Sequence, residues 1–193
     1  MGLNDQFTFY ASYHNDFINQ VVHILFVPWI ALGGLLALSF VPDFTNGAAI
    51  SITSTPLEGV YPINASFCYT TLVSIYYVFL EGNVAGTIAS LGMILAYVAA
   101  CKMKDELEIN LCWNLSLFMI VFSFAVQIFS HQVFEKRSPA FLDNVFQAVV
   151  MAPLFIVMET MFFFGYRQEF RRVVQVDVDE NIKKFRASKK KKT

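Results

Sequence analysis

Long apolar runs separated by short polar stretches set the pattern of this chain. A helix needs about 20 apolar residues to cross the hydrocarbon core of a bilayer, and several runs reach that length. The runs cover residues 21–41, 66–101, 111–130 and 145–165. This alternation predicts a protein whose helices cross a membrane several times.

The second apolar run is too long for a single span. Glu81-Gly82-Asn83 interrupts it with a charged residue and two residues that favour turns. We therefore expect two short spans, 66–80 and 84–101, joined by a tight turn. The remaining polar links are expected to be a loop at 42–65 and shorter connections at 102–110 and 131–144.

The last apolar run contains polar residues and a proline, namely Gln147, Pro153 and Glu159. It is predicted to be either a fifth span or a re-entrant hairpin. The chain from 166 onward is polar and is expected to be helical in part. The predicted fold is thus an all-α polytopic membrane helix bundle of about five spans, followed by a polar C-terminal tail.

The composition also favours a lipid-embedded class. The chain is 56% hydrophobic and 15% charged, whereas soluble domains carry roughly 25% charged residues. Ten of the 14 Lys and Arg residues lie between Arg167 and Lys192. We therefore divide the chain into a membrane-embedded domain, 1–165, and a basic tail, 166–193. The tail has little aromatic interleaving, so nucleic acid is not an expected partner.

All three histidines fall at one predicted membrane boundary. His14 and His23 lie where the first span begins, and His131 follows the fourth span, which in a five-span topology returns to the same side. Ionisable groups at the edge of a membrane are costly and are functional candidates. Imidazole is also the commonest side-chain metal ligand. We predict one shared metal site, for which non-heme Fe(II) and zinc are both suitable; the alternative is three structural hydrogen-bonding groups.

The spacing of the first two histidines constrains the backbone between them. Nine residues on one straight helix turn through about 900°, which points His14 and His23 in opposite directions. If both bind one metal, the helix must break, and Asn15–Phe17 is the predicted break, with its Asn or Asp as the N-cap. Asn19 lies on the helical face of His23 and is predicted to orient that ring by a hydrogen bond. The alternative for Asn19 is a simple capping or interface role.

A second polar cluster surrounds the third histidine. Gln127, His131 and Glu135 are spaced four apart and form a stripe on one helical face. Glu135 is a candidate metal ligand or partner of His131; alternatively it pairs with Lys136 or Arg137 in a solvated loop. Those two cations are also candidates for holding a carboxylate, which a guanidinium group matches well.

Two acidic residues follow this cluster. Asp143, together with Asn144, is predicted to cap the next helix. Glu159 lies deep in the last apolar run, where a carboxylate needs a partner that the sequence does not name.

Two of these motifs resemble those of a known family. Tyr13, His14, Asn19, His23 and Pro28 follow the pattern YH-x4-N-x3-H-x4-P. The segment HQVFEKRSPAFLDN at 131–144 is similar to a second signature, although a small residue often stands where this chain has Gln132. The family is that of the endoplasmic-reticulum 2-hydroxy fatty acid dioxygenases. The resemblance extends over most of Tyr10 to Glu159 and leaves the loop at 42–65 and the tail unmatched.

The resemblance implies an Fe(II)-dependent α-oxidation. A 2-hydroxy fatty acid, such as one from phytosphingosine breakdown, would react with O2 and lose one carbon to give an odd-chain acid. The implied metal ligands are His14, His23 and His131. The other assignments are catalytic roles for Glu135 and Arg137, support of the ligands by Asn19, Gln127 and Asp143, and capture of the substrate carboxylate by Lys136 and Arg137. The alternative function is a non-catalytic membrane protein that binds lipid or scaffolds partners.

The C-terminal residues KKKKT resemble the dilysine retrieval signal of endoplasmic-reticulum membrane proteins, which faces the cytosol. The alternative is a basic tail that binds anionic lipid. A five-span topology places most basic residues opposite the histidines, which makes the metal lumenal. A re-entrant last run places both on the cytosolic side. The protein is expected to be a multi-pass protein of the endoplasmic-reticulum membrane.

Overall fold

A computed structural model describes residues 2–42, 44–53, 57–139 and 143–190. By internal packing the chain forms two compact units, one of Met1–Ile24 with Gln127–Thr193 and the other of Leu25–Val126. The division into a membrane domain at 1–165 and a tail at 166–193 is functional and stays a prediction. Three stretches that entered the sequence predictions lie outside the described residues: Pro56 in the loop, 140–142 in the second signature, and 191–193 of the dilysine segment.

Helices dominate the described part of the chain and confirm the all-α membrane class. They are α1 (Leu3–Ala11), α2 (Phe17–Leu38), α3 (Ala65–Glu81), α4 (Val84–Glu106), α5 (Ile109–Ser130), α6 (Ala152–Phe163) and α7 (Gln168–Lys190). Two π-helical turns, His131–Glu135 and Gln147–Met151, follow α5 and precede α6. Many large apolar side chains on α2, α4 and α5 are exposed, as expected of helices that face lipid.

Three helices in the described residues are long and apolar enough to cross a membrane: α2, α4, and α5 with its π-helical turn. The helix ending at Phe163 and α7 form a pair bent by 114°, which adds a fourth candidate if it is one broken span. Helix α3 has 17 residues, somewhat short for a full span. The structure therefore gives three to four candidate spans where about five were expected, and it keeps both the spanning and the re-entrant alternatives for the last run.

The expected split between α3 and α4 is confirmed within the Leu25–Val126 unit. Gly82 ends α3 in the left-handed conformation, with φ of 66°, which glycine adopts without strain. The buried carboxylate of Glu81 accepts hydrogen bonds from the backbone N–H groups of Asn83 (2.9 Å) and Gly86 (3.0 Å). The interrupting tripeptide thus builds the turn and satisfies the free N–H groups at the start of α4.

Two links of this unit differ from expectation. The predicted loop at 42–65 contains an antiparallel hairpin, β1 (Ala49–Ile52) and β2 (Gly59–Pro62), with Ala49 opposite Pro62. Its four-residue strands are too short to give a clear alternating pattern. The link at 102–110 is largely helical, because Lys, Met and Glu are good helix formers. Lys104 near the end of α4 also donates a 2.5 Å hydrogen bond to the carbonyl of Ser39.

The other unit contains a helix that the sequence analysis missed. Helix α1 buries Phe7, Tyr10 and Ala11 on one face. The polar C-terminal segment, expected to be helical in part, forms α7 and packs against α1, with the rings of Phe7 and Phe170 5.7 Å apart. Val174 of α7 is also buried. The segment after 166 is thus a helix with an apolar face against the N-terminus.

We predict that Gly86→Ala destabilises the protein. A Cβ atom there would lie 2.5 Å from the backbone oxygen of Tyr77, so α3 and α4 must separate. Overpacking of this kind costs about 1–3 kcal/mol, which should lower the midpoint of thermal unfolding in detergent. The matched control is Gly92→Ala on the same helix, where nothing lies within 4 Å of the added atom. Equal midpoints for the two variants would contradict this account of the helix pair.

Candidate metal centre

His14 lies in the break between the first two helices. Helix α1 ends at Ala11, α2 begins at Phe17, and the intervening residues are not helical. The side chain of Asp16 accepts hydrogen bonds from the N–H groups of Ile18 (2.9 Å) and Asn19 (3.3 Å), as an N-cap does. The expected break and its cap are therefore confirmed. The break begins earlier than the predicted Asn15–Phe17, because α1 already ends three residues before His14.

His131 follows α5 at the start of the π-helical turn. Such turns occur frequently at functional sites. Lys136 ends the turn in the left-handed conformation, with φ of 53°, and its N–H donates to the carbonyl of His131. The ring of His131 is buried.

The three histidines converge, as the sequence predicted. One potential ligand atom from each of His14, His23 and His131 lies within 4.8 Å of the other two. The ring centroids are 4.3, 4.7 and 4.9 Å apart, and the rings meet edge to face. All three side chains are at most 5% exposed. Residues from the two ends of the chain thus form one buried imidazole cluster.

Hydrogen bonds fix the tautomers of two of these rings. The Nδ1 atom of His14 lies 2.8 Å from the carbonyl oxygen of Tyr10, and that of His23 lies 2.9 Å from the carbonyl of Asn19. Because a carbonyl only accepts, each Nδ1 carries the hydrogen, and Nε2 keeps the lone pair that a metal needs. Burial, together with His23 and His131, lowers the pKa of His14 well below its usual value, which favours the neutral, ligating form.

The third ring carries an unsatisfied atom. Nδ1 of His131 is buried and has no hydrogen-bond partner among the described residues. Buried polar atoms are rarely left in this state unless a water or an ion completes them. A cluster of two fixed tautomers and one unpartnered nitrogen fits a metal ion bound by three imidazoles.

Asn19 links the helices that carry the ligands. It is fully buried, and its Oδ1 accepts a 2.5 Å hydrogen bond from Ser130 at the end of α5. Its Nδ2 donates to Glu135 Oε1 (3.2 Å) and to the carbonyl of Tyr13 (3.4 Å). The predicted bond to His23 exists, but the backbone carbonyl of Asn19 makes it. The side chain instead holds α2 against the residues around His131.

The remaining acidic and amide candidates differ in their hydrogen-bond partners. Glu135 lies outside the group of potential ligands and accepts a 2.7 Å hydrogen bond from the N–H of Asp16, besides that from Asn19. Gln127 is buried one turn before His131, and its Nε2 has no partner among the described residues. Asp143 accepts a 2.5 Å hydrogen bond from the Tyr13 hydroxyl, and Asn144, its neighbour, caps the next helical segment.

The two basic candidates lie just after the π-helical turn. Lys136 is exposed. The guanidinium of Arg137 covers the ring of Tyr13, with Cζ 3.4 Å from the ring centroid, and Nη1 donates to the carbonyl of Ser12 (3.1 Å). Arg137 therefore contacts the residues that immediately precede His14.

Tyr10 was not among the residues selected from the sequence. Its ring stacks on that of His14, with centroids 4.0 Å apart, and its hydroxyl donates to the buried carboxylate of Glu159 (2.9 Å). Burial and the neighbouring carboxylate raise the pKa of the phenol well above its usual value, so it stays a donor. Tyr10 is therefore the hydrogen-bond donor that the buried side chain of Glu159 needs. The only sequence signal for Tyr10 is its position four residues before His14. That spacing indicates a contact between the two rings only if the residues form a helix, and helix α1 was not predicted.

Comparison with known proteins shows the family of this chain. The family model described as 2-hydroxy-palmitic acid dioxygenase Mpo1-like matches residues 2–164. The chain belongs to the Mpo1-like family. A curated relative, the 2-hydroxy-palmitic acid dioxygenase MPO1 of Saccharomyces cerevisiae, is 30% identical over 179 residues, covering 93% of this chain and 91% of the relative. No solved structure matches the chain. The Mpo1-like match confirms the resemblance seen in the sequence motifs and includes all three histidines.

We predict that Asn19→Leu destabilises this Mpo1-like protein. The substitution keeps the volume but removes the hydrogen bonds of Asn19 to Ser130 and Glu135, although Ser130 keeps its bond to the Gln127 carbonyl and Glu135 keeps that from Asp16. Each lost hydrogen bond costs about 0.5–1.5 kcal/mol. Thermal unfolding in detergent should show a lower midpoint. Asn110→Leu, at an exposed position in the first turn of α5, is the control and should change stability by less than about 0.5 kcal/mol. An unchanged midpoint for Asn19→Leu would refute the linking role of this side chain.

Proposed function

We propose that this protein is an Fe(II)-dependent dioxygenase that shortens 2-hydroxy fatty acids by one carbon. The observation that carries the proposal is the buried cluster of His14, His23 and His131 in a chain of the Mpo1-like family. The relative from yeast is named a 2-hydroxy-palmitic acid dioxygenase. We extend that activity to this chain, with a 2-hydroxy fatty acid and O2 as substrates and the endoplasmic-reticulum membrane as its location.

Three imidazoles with open positions suit either iron or zinc. We favour iron because zinc has no redox chemistry, whereas a dioxygenase must activate O2. When bound, Fe(II) would supply this activation and a site for an oxygen-bearing substrate. The residues of the chain hold the three nitrogen ligands neutral, fix two of their tautomers, and bury the cluster.

The substrate has a polar head and a long apolar tail, and these place different demands on the protein. We propose that Lys136 and Arg137 receive the carboxylate, because both cations directly follow the turn of His131 and a guanidinium matches the geometry of a carboxylate. Burying the acyl tail contributes roughly 0.8 kcal/mol per methylene. Binding therefore needs few polar contacts beyond those at the head.

We predict that replacing any one of the three histidines with Ala removes metal and activity together. The measurements are iron content of the purified protein and conversion of 2-hydroxypalmitate to the acid one carbon shorter. Native protein should contain close to one iron per chain. After chelation, Fe(II) but not zinc should restore turnover.

The control for the histidine variants is Gly92→Ala, which should keep both iron and activity. Full activity in His131→Ala would refute the proposed metal centre. A natively folded protein that never binds a transition metal would instead favour the non-catalytic lipid-binding or scaffold function.

We predict that Glu135→Gln separates a catalytic role of this carboxylate from its anchoring role. The amide oxygen of Gln can accept the same hydrogen bonds from Asp16 and Asn19, so stability and iron content should stay close to native. If Glu135 also moves a proton in the reaction, turnover should fall by about 100-fold or more. Native turnover in Glu135→Gln, with loss of stability in Glu135→Ala, would leave Glu135 with the anchoring role alone.

A further inference from the structure

Helix α7 contacts both segments that carry the clustered histidines. It lies beyond residue 164, where the match to the family model ends. Asn181 donates to the hydroxyl of Ser12 (3.2 Å), and Gln175 lies 3.5 Å from the side-chain oxygen of Asn15. On the other segment, Lys189 donates to the carbonyl of Lys136 (3.3 Å). The first two contacts are made with residues on either side of His14 in the chain, and the third is made with a residue shortly after His131.

Arg137 contacts the same three segments: α7, the loop of His14 and the turn of His131. The Cζ atom of its guanidinium lies over two rings, 3.4 Å from the centroid of Tyr13 and 4.3 Å from that of Phe185 on α7. Its Nη1 donates to the carbonyl of Ser12, and its backbone N–H lies 3.4 Å from the carbonyl of His131. One residue thus connects α7, the loop of His14 and the turn of His131.

Phe185, Arg137 and Tyr13 contact one another in that order. Tyr13 is adjacent to His14 in the chain, and its hydroxyl is held by Asp143. A cation held over the faces of two aromatic rings has less freedom to move than one held over a single ring, and both contacts are favourable because the ring faces are electron-rich. Phe185 is half-buried. Without it, the guanidinium would keep only the ring of Tyr13, and water would compete more strongly for its hydrogen bond to Ser12.

Helix α7 also forms one wall of a cavity beside the metal centre. The cavity measures about 40 Å³, which is enough for one to a few water molecules. His14 and Glu159 border it on one side, and Arg171, Val174 and Gln175 of α7 border it on the other. Loss of the packing of α7 would therefore admit solvent next to His14.

We propose that α7 supports the metal centre through Phe185. Phe185 is a positioning residue: it holds Arg137 on Tyr13. In this way it fixes the backbone around His14 and His131. This inference rests on the proposed metal site but concerns a helix outside the family match. It assigns a role to the C-terminal segment other than an address signal or a lipid-binding tail.

The test is the affinity of the full-length chain for metal. Apo protein in detergent is titrated with Fe(II) under anaerobic conditions and with Co(II), whose absorption spectrum reports coordination geometry. Phe185→Ala should weaken the affinity by about 10- to 100-fold, as the loss of groups that orient metal ligands does. Phe185→Tyr restores an aromatic face and should regain most of the affinity. The control is Val173→Ala, an exposed position on the same helix.

The pair of Arg137 and Phe185 provides a second, independent reading. If both act through one stack, the effects of Arg137→Gln and Phe185→Ala on metal affinity should be clearly less than additive in the double variant. Native affinity and a native Co(II) spectrum in Phe185→Ala, or full additivity in the double variant, would overturn the inference. If the unsubstituted protein binds no metal, the proposed function fails instead, so the two failures are distinguishable.

Discussion

Three imidazole rings can share one buried site only while all three stay neutral, because a proton on one ring would place a charge against the others in surroundings of low polarity. Burial meets this condition, because it lowers the pKa of His14, and backbone carbonyls fix which ring nitrogen carries the hydrogen. The Nδ1–H groups of His14 and His23 bond to the carbonyls of Tyr10 and Asn19, each four residues earlier. Each ring is thereby tied to its own segment. Cluster geometry consequently depends on where α1 ends and α2 begins.

The rest of the Met1–Ile24 and Gln127–Thr193 unit serves that geometry. Asn19 joins α2 to the end of α5 through Ser130 and to the π-helical turn through Glu135. The carboxylate of Glu135 also accepts from the N–H of Asp16, close to the N-terminus of α2, where a negative charge is favourable. Residues more than a hundred positions apart therefore set the separation of the histidines. These hydrogen bonds therefore limit how far the three histidines can move relative to one another.

The features that could be predicted from the sequence are those with a local cause. The apolar runs placed most of the helices, the tripeptide at Glu81 placed the turn between α3 and α4, and the out-of-phase spacing of His14 and His23 required a break. The partners of Asn19, Glu135 and Arg137 could not be found in this way, because they depend on which segments meet after folding. Helix α1 was missed because it is short, and its Phe7 is buried against rings of α6 and α7 that are distant in the sequence.

The π-helical turn at His131–Glu135 gives this stretch some tolerance in its length. A π-helical turn holds one more residue than an α-helical turn, so the loss of one residue here would be absorbed by a return to α-helical geometry. Gln132 and Val133 are the exposed residues of the turn, whereas His131 is buried and Glu135 accepts hydrogen bonds from Asp16 and Asn19. A one-residue deletion at Gln132 or Val133 would therefore disturb the histidine cluster less than the same deletion within α5, where no extra residue is present to absorb it.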